Sequence, residues 1–260
     1  MTDIAVLESL WFRRFAAARN TGIRLVCFPH AGGSATFYQP FARALESVAD
    51  LWAVQYPGRQ DRRSEPPFES IDDVADQLAG LLGSAAGPPL AFFGHSMGAV
   101  VSFEVARRLR RAGRPGPVAL FVSGRRAPSV PRIELVHQGT DADILRALRE
   151  LAGTDPRILG DEEIQQMILP VVRGDYRAVE RHRHVPGPPL TCPVVAFGGD
   201  DDPHASVADL RAWADHTTGA FEAHVFSGGH FYLVDELDGV TAAIAENLAA
   251  LAGPVNGGRK

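Results

Sequence analysis

Leu90-Ala91-Phe92-Phe93-Gly94-His95-Ser96-Met97-Gly98 decides how the chain is to be read, because it joins an apolar strand, Leu90 to Phe93, to a strongly helical run, Ala99 to Ala112. A strand that turns directly into a helix at Gly-X-Ser-X-Gly makes so tight a corner that only glycine fits the flanking positions. The corner lifts the serine oxygen into the open. Ser96 is therefore the candidate nucleophile. Five residues of motif are weak evidence alone, so the reading depends on a base, an acid and an oxyanion site at matching places.

The base and the acid lie further along the chain. A strand-like run, Glu222 to Phe226, ends in Ser227-Gly228-Gly229-His230-Phe231, which places His230 on the loop after a strand. An earlier apolar run, Val194 to Phe197, ends in Gly198-Gly199-Asp200-Asp201-Asp202-Pro203. The order Ser, Asp, His is that of α/β-hydrolases and differs from the orders of two other serine-hydrolase families. A serine hydroxyl is a poor nucleophile at neutral pH, so an imidazole must take its proton and a carboxylate must hold that imidazole in the right tautomer. Of the three aspartates, Asp202 is favoured, since the strand has to end and turn before a side chain can reach His230; Asp200 is the runner-up.

The fourth element is early. Ile23 to Phe28 runs into Pro29-His30-Ala31-Gly32-Gly33-Ser34, a loop of the glycine-rich kind that supplies one oxyanion N–H while the residue after the nucleophile supplies the other. Ala31 and Met97 are the expected donors. Taken alone, these glycines could equally form an ordinary turn between strand and helix.

The 260 residues, 45% of them hydrophobic, suffice for one large core. Strand runs near 23, 51, 90, 118, 194 and 222 alternate with helical stretches, which predicts an α/β fold with a mainly parallel, doubly wound sheet. Residues 123–193 are too long for one crossover. Asp141 to Leu151 and Asp161 to Val172 read there as amphipathic helices, with Ile144, Leu145, Leu148 and Leu151 at helical spacing. The expected organisation is a core of residues 1–128 and 190–252, a helical lid of residues 129–189 over the carboxyl end of the sheet, and a disordered tail from 253 to 260.

Composition narrows the class. Asp3 and Glu8 precede any apolar run, so no signal peptide is visible and a cytoplasmic protein is expected. The uncharged stretch 83–103 is interrupted by Pro88, Pro89, Gly94 and Gly98, which argues against a membrane span. Cys27 and Cys192 are expected to be buried free thiols. Nine histidines invite a metal, but no metal-ligand spacing accompanies them. Lys260 is the single lysine among 26 basic residues, and a formal net charge of −5 argues against nucleic acid. Arg107, Arg108, Arg110 and Arg111 read as a solvated face late in the helix after Ser96.

Phe28-Pro29-His30-Ala31-Gly32-Gly33-Ser34, Tyr56-Pro57-Gly58-Arg59, Gly94-His95-Ser96-Met97-Gly98, Phe197-Gly198-Gly199-Asp200 and Gly228-Gly229-His230-Phe231 together resemble the type II, stand-alone thioesterases of polyketide and nonribosomal peptide synthesis. The resemblance spans about residues 23 to 251. It implies an α/β-hydrolase fold, a triad of Ser96, Asp202 and His230, and an oxyanion hole from the N–H groups of Ala31 and Met97. It also implies hydrolysis of misplaced or stalled acyl groups from the phosphopantetheine arm of acyl or peptidyl carrier proteins, without a cofactor or metal of the enzyme's own. A monomer that engages neither membrane nor nucleic acid is expected. Such carrier proteins are generally acidic, so docking on a net negative enzyme calls for a local basic patch. Arg59, with Arg62 and Arg63, and Arg125, with Arg126, are the candidates. A carboxylesterase or lipase of the same fold needs the same triad and is the rival enzyme. A hydrolase-fold binding protein is disfavoured because every triad candidate is present.

Overall fold

Seven strands form one sheet in the order β1-β3-β2-β4-β5-β6-β7. The structure is a computed structural model that describes residues 9–15, 22–151, 153 and 158–252; the expected tail, 253–260, and the acidic N-terminus lie outside them. The strands are β1 Phe12–Arg13, β2 Arg24–Phe28, β3 Asp50–Val54, β4 Leu90–His95, β5 Ala119–Ser123, β6 Val194–Gly199 and β7 Phe221–Phe226. All neighbours run parallel except β1, which pairs antiparallel with β3 through Phe12 opposite Val54 and Arg13 opposite Ala53. Two residues are too few to show an alternating pattern, so β1 gave no signal before the fold was seen.

Every residue of β2, β4, β5 and β6 is buried. That follows from helices covering both faces, which is why these strands read as unbroken apolar runs. The helices are α1 Gln39–Ala44, α2 Ile71–Ser84, α3 Met97–Arg111, α4 Asp141–Glu150, α5 Glu162–Arg181, α6 Val207–Arg211, α7 Tyr232–Asp235 and α8 Leu237–Ala252. Alternate strand residues divide between two cores. Val26, Phe28, Phe92, Leu120 and Val122 pack with Val74 and Leu78 of α2 and Val101 and Val105 of α3. Leu25, Cys27, Phe93, Phe121 and Phe197 pack on the other face with Phe41 of α1 and Ile244 and Leu248 of α8.

Strand order reverses direction between β2 and β4, the switch point where loops diverge and leave a crevice. The loop after β2 carries His30 to Gly33, and the loop after β4 carries Ser96. Above them, α4 and α5 share a small apolar cluster of Ile144, Leu145, Leu148, Leu159, Leu169 and Val172. Helix α5 does not stop at Val172 as its apolar spacing suggested. It runs on to Arg181 with Pro170 inside it, and past Val172 it buries Asp175, Ala178 and Val179.

Candidate active site

Ser96 sits at φ 54°, ψ −115°, one of two described non-glycine residues with positive φ. The corner holds because nothing larger than hydrogen fits beside it. A Cβ on Gly94 would overlap the Gly98 carbonyl, and a Cβ on Gly98 would overlap the Phe28 carbonyl. The Ser96 N–H donates to the Ser123 carbonyl at 2.8 Å, tying the corner to the end of β5. Ser96 remains half-exposed while its neighbours His95 and Met97 are buried.

His230 follows β7, and its Nδ1 lies 2.9 Å from Asp202 Oδ2, both residues being buried. The other Asp202 oxygen accepts the His204 N–H at 2.8 Å, which fixes the carboxylate plane. Asp200 is used differently. Its Oδ1 accepts the Gly228 N–H at 2.8 Å and so braces the loop that carries His230. Of the two carboxylates, Asp202 lies against the His230 ring and Asp200 against the Gly228 N–H. Ser96 Oγ makes no hydrogen bond to His230, though both line one cavity of about 240 Å³. Catalytic hydrogen bonds of this kind often tighten only when substrate is bound.

Two other histidines frame the site without charge. Burial lowers His30 to about 3, with His230 and Arg59 adding to the effect, and burial likewise depresses His95. His30 packs edge-on against Phe37 and Phe231, with ring centroids 4.7 and 4.8 Å away. His95 Nδ1 lies 2.9 Å from Ser123 Oγ, which lies 2.6 Å from the Tyr232 hydroxyl. Sequence reasoning assigned neither ring a place, since a histidine beside a motif carries no signal of its burial.

Ala31 and Met97 face the same cavity as Ser96. Among the described residues the N–H of neither is engaged in a hydrogen bond. Met97 opens α3, so its N–H points out of the positive end of a 15-residue helix. The far wall is apolar and comes from α4 and α5, through Leu148, Ile168, Val172 and Val179.

The arginines expected at a docking rim are placed otherwise. Arg59 is buried and grips Asp175 through two hydrogen bonds of 2.7 and 2.9 Å. Arg62 is buried against Glu65 and the Gln55 carbonyl, and Arg126 against Glu134. Arg125 lines the cavity wall, 4.0 Å from Glu134, and burial lowers it to about 10. Their charges are spent on internal carboxylates, so Arg59 and Arg125 are not surface docking cations; only Arg63 of the five is exposed. Arg107 also departs from the solvated face expected of it, being buried against Glu104. Cys27 is a buried free thiol, and Cys192 is free but only partly buried.

A sequence model of the thioesterase domain matches residues 23–250. The chain belongs to the thioesterase family. Thioesterase PikA5 of Streptomyces venezuelae is 45% identical across 97% of this chain and 91% of its own length. The gramicidin S biosynthesis protein GrsT of Aneurinibacillus migulanus is 33% identical across 90% of this chain and 92% of its own. Among solved structures, the type II thioesterase BorB of the borrelidin biosynthetic cluster superposes with a TM-score of 0.85 at 48% identity, covering 95% of this thioesterase and 99% of BorB. YbtT, a type II thioesterase of the yersiniabactin pathway, gives 0.83 at 29% identity, covering 93% and 99%. The thioesterase therefore has the α/β-hydrolase fold expected of it. Among the described residues no helix is long and apolar enough to cross a membrane.

Proposed function

We propose that this thioesterase releases misplaced or stalled acyl groups from the phosphopantetheine arm of carrier proteins in a polyketide or nonribosomal peptide synthase. Ser96 is the nucleophile, His230 the general base, Asp202 the carboxylate that orients it, and the N–H groups of Ala31 and Met97 the oxyanion donors. The observation that carries this reading is the His230 Nδ1 to Asp202 contact of 2.9 Å beside a strained, half-exposed Ser96 in one cavity. Ser96 Oγ adds to the thioester carbonyl while His230 Nε2 takes its proton. The tetrahedral oxyanion collapses, the carbon–sulfur bond breaks, and His230 returns the proton to the departing thiolate. Water then repeats the sequence on the acyl-serine with the same base and the same oxyanion donors. Arg125 and Glu134 lie in the wall nearby and together bring no net charge.

Residues 129–189 act as a lid whose apolar faces hold the acyl chain, supported by Leu148, Ile168 and Val172 of α4 and α5 in the cavity wall. No bound cofactor is called for, since every step uses groups of the chain itself or of the substrate. The net charge of −5 argues against nucleic acid as a partner, and the enzyme we propose is a cytoplasmic monomer that engages no membrane. The biosynthetic settings of BorB, YbtT and GrsT support a carrier protein as partner. Turnover of one acyl group offered on a carrier protein, on coenzyme A and as a simple ester tests the reading. A clear preference in kcat/KM for the carrier-bound thioester is expected; equal turnover of the ester makes the enzyme a general esterase.

A further inference from the structure

The Tyr56-Pro57-Gly58-Arg59 element takes no part in the steps above, yet Arg59 and the lid residue it binds converge on the loop that carries Ala31. Residues His30 to Gly33 form a turn closed by the Gly33 N–H donating to the His30 carbonyl at 2.9 Å, with Gly32 at φ +74°. The Ala31 N–H rides on this turn, so its aim follows how the turn as a whole is anchored. Here it is held from outside the core. The Gly32 N–H donates to Asp175 Oδ2 at 2.7 Å, and Asp175 belongs to α5. Arg59 Nη1 and Nη2 donate to Asp175 Oδ2 and Oδ1 at 2.9 and 2.7 Å, and Nη1 also donates to the Gly33 carbonyl at 3.1 Å. The far end of the loop is fastened to the same element. Gln55 Oε1 accepts the Ala35 N–H at 2.9 Å, while Gln55 Nε2 donates to the Arg59 carbonyl at 3.0 Å.

We propose that Asp175, paired with Arg59, is a positioning residue that fixes the turn at Gly32 and so aims the Ala31 N–H at the developing oxyanion. The proposal rests on the reading of Ala31 as an oxyanion donor. A buried ion pair is poor evidence of stabilisation by itself, because desolvation offsets its attraction. This pair is better explained by what it holds. A lone carboxylate beside a forming oxyanion would oppose it, and Arg59 cancels that charge while leaving an acceptor for the Gly32 N–H. Burial pushes the Asp175 carboxyl up to about 6, against the pull of Arg59 and of that N–H, so it is ionised at neutral pH. It follows that the oxyanion loop is complete only while the middle of α5 is seated, which makes lid closure and a competent site one state.

Two double variants separate positioning from simple fastening of the lid. Arg59→Met with Asp175→Leu removes the pair and the acceptor; Arg59→Met with Asp175→Asn removes the pair and keeps a carbonyl oxygen for Gly32. Both are assayed with an acyl-cysteamine thioester and with the matching acyl trifluoromethyl ketone, whose hemiketal with Ser96 bears the oxyanion. With the leucine variant, kcat is expected to fall about 10²-fold with KM within about twofold, the size of a misplaced oxyanion contact. Its ketone inhibition constant rises by the same factor, and the asparagine variant recovers at least about tenfold in both. Equal values for the two folded variants, or a loss confined to KM, overturn the proposal. Should either fail to fold, Asp175→Glu, which keeps the charge and moves the acceptor, replaces the pair. A fall in its kcat of about tenfold or more supports positioning, and an unchanged kcat overturns it. If the ketone does not inhibit the unaltered enzyme, the serine reading falls and the proposal with it; if it inhibits the enzyme and every variant alike, the positioning role alone falls.

Discussion

The sheet with its loops and the helical segment above it are built by different forces. Around the sheet, long apolar strands are covered on both faces, and two extended cores of aliphatic and aromatic side chains hold Ser96, Asp202 and His230 at strand ends. Helices α4 and α5 meet at a satellite cluster of six buried apolar residues. Helix α5 also reaches the larger core through Ala178 and Val179, and the remaining attachment is polar. Arg173 pairs with Asp141, Arg177 with Glu69, His137 with Glu180, and Arg59 with Asp175. On the proposed reading the sheet is a rigid scaffold for the chemistry, and α4 and α5 are the wall that selects the acyl chain.

The largest expected effect belongs to the rigid half. Ser96→Ala should lower kcat by about 10⁶-fold with an unchanged melting temperature, because the hydroxyl is half-exposed on its turn rather than packed. Residual turnover near the normal rate breaks the distinction at its root. Asp202→Asn should cost on the order of 10⁴ through the wrong histidine tautomer. Asp200→Asn should cost far less, since Asp200 only braces Gly228; steady-state kinetics on the two variants that come out equal would reverse the assignment.

Much of the rigid half was legible in the sequence, for a physical reason. Strands β2, β4, β5 and β6 are buried on both faces, so each reads as an apolar run whose end is marked by glycine, and the chemistry lies at those ends. What was not legible depends on partners far away in sequence. Arg59 and Asp175 stand 116 positions apart, and an arginine that is buried against a distant carboxylate looks, residue by residue, like one in solvent. Hence the internal pairing of Arg59 and Arg125, and the part of Asp175 in it, leave no mark in the sequence. Reach along the chain favours Asp202 over Asp200, and Asp202 is the one that lies against His230; the bond from Gly228 to Asp200 has no mark in the sequence. Helix α5 outran its apolar spacing because past Val172 its buried face consists of Gly174, Asp175, Ala178 and Val179, which hold no continuous apolar stripe.

Smaller effects sharpen the same contrast. Phe92→Ala in the core should cost about 3–5 kcal/mol of global stability, whereas Leu148→Ala in the satellite cluster should cost less and mainly speed amide exchange in α4. Chemical denaturation together with hydrogen exchange reads both. Leu148→Trp should shift the preferred acyl chain toward shorter lengths with little loss of kcat on the best substrate. An unaltered chain-length profile argues against the lid role.

Acid acts on the same contrast. Burial lowers His30 to about 3 and His216 to about 4, and depresses His95 as well. The unfolded chain therefore binds protons below about pH 6.5 that the folded protein refuses. Stability is complete above that pH and falls on acidification toward 4, by about 1.4 kcal/mol per pH unit for each uncompensated proton. Asp175, raised to about 6, opposes this with one proton held by the folded state. A melting temperature that does not move between pH 6.5 and 4.5 contradicts the burial of these rings as neutral groups.

The central claim is that acyl groups pass through Ser96. Rapid quenching of the enzyme with an acyl-carrier protein, followed by digestion and mass spectrometry, reads it directly. The account predicts the acyl mass on the peptide containing Ser96, absent from Ser96→Ala and discharged more slowly in Asp202→Asn. An acyl group on any other residue, or hydrolysis by Ser96→Ala at an undiminished rate, contradicts it.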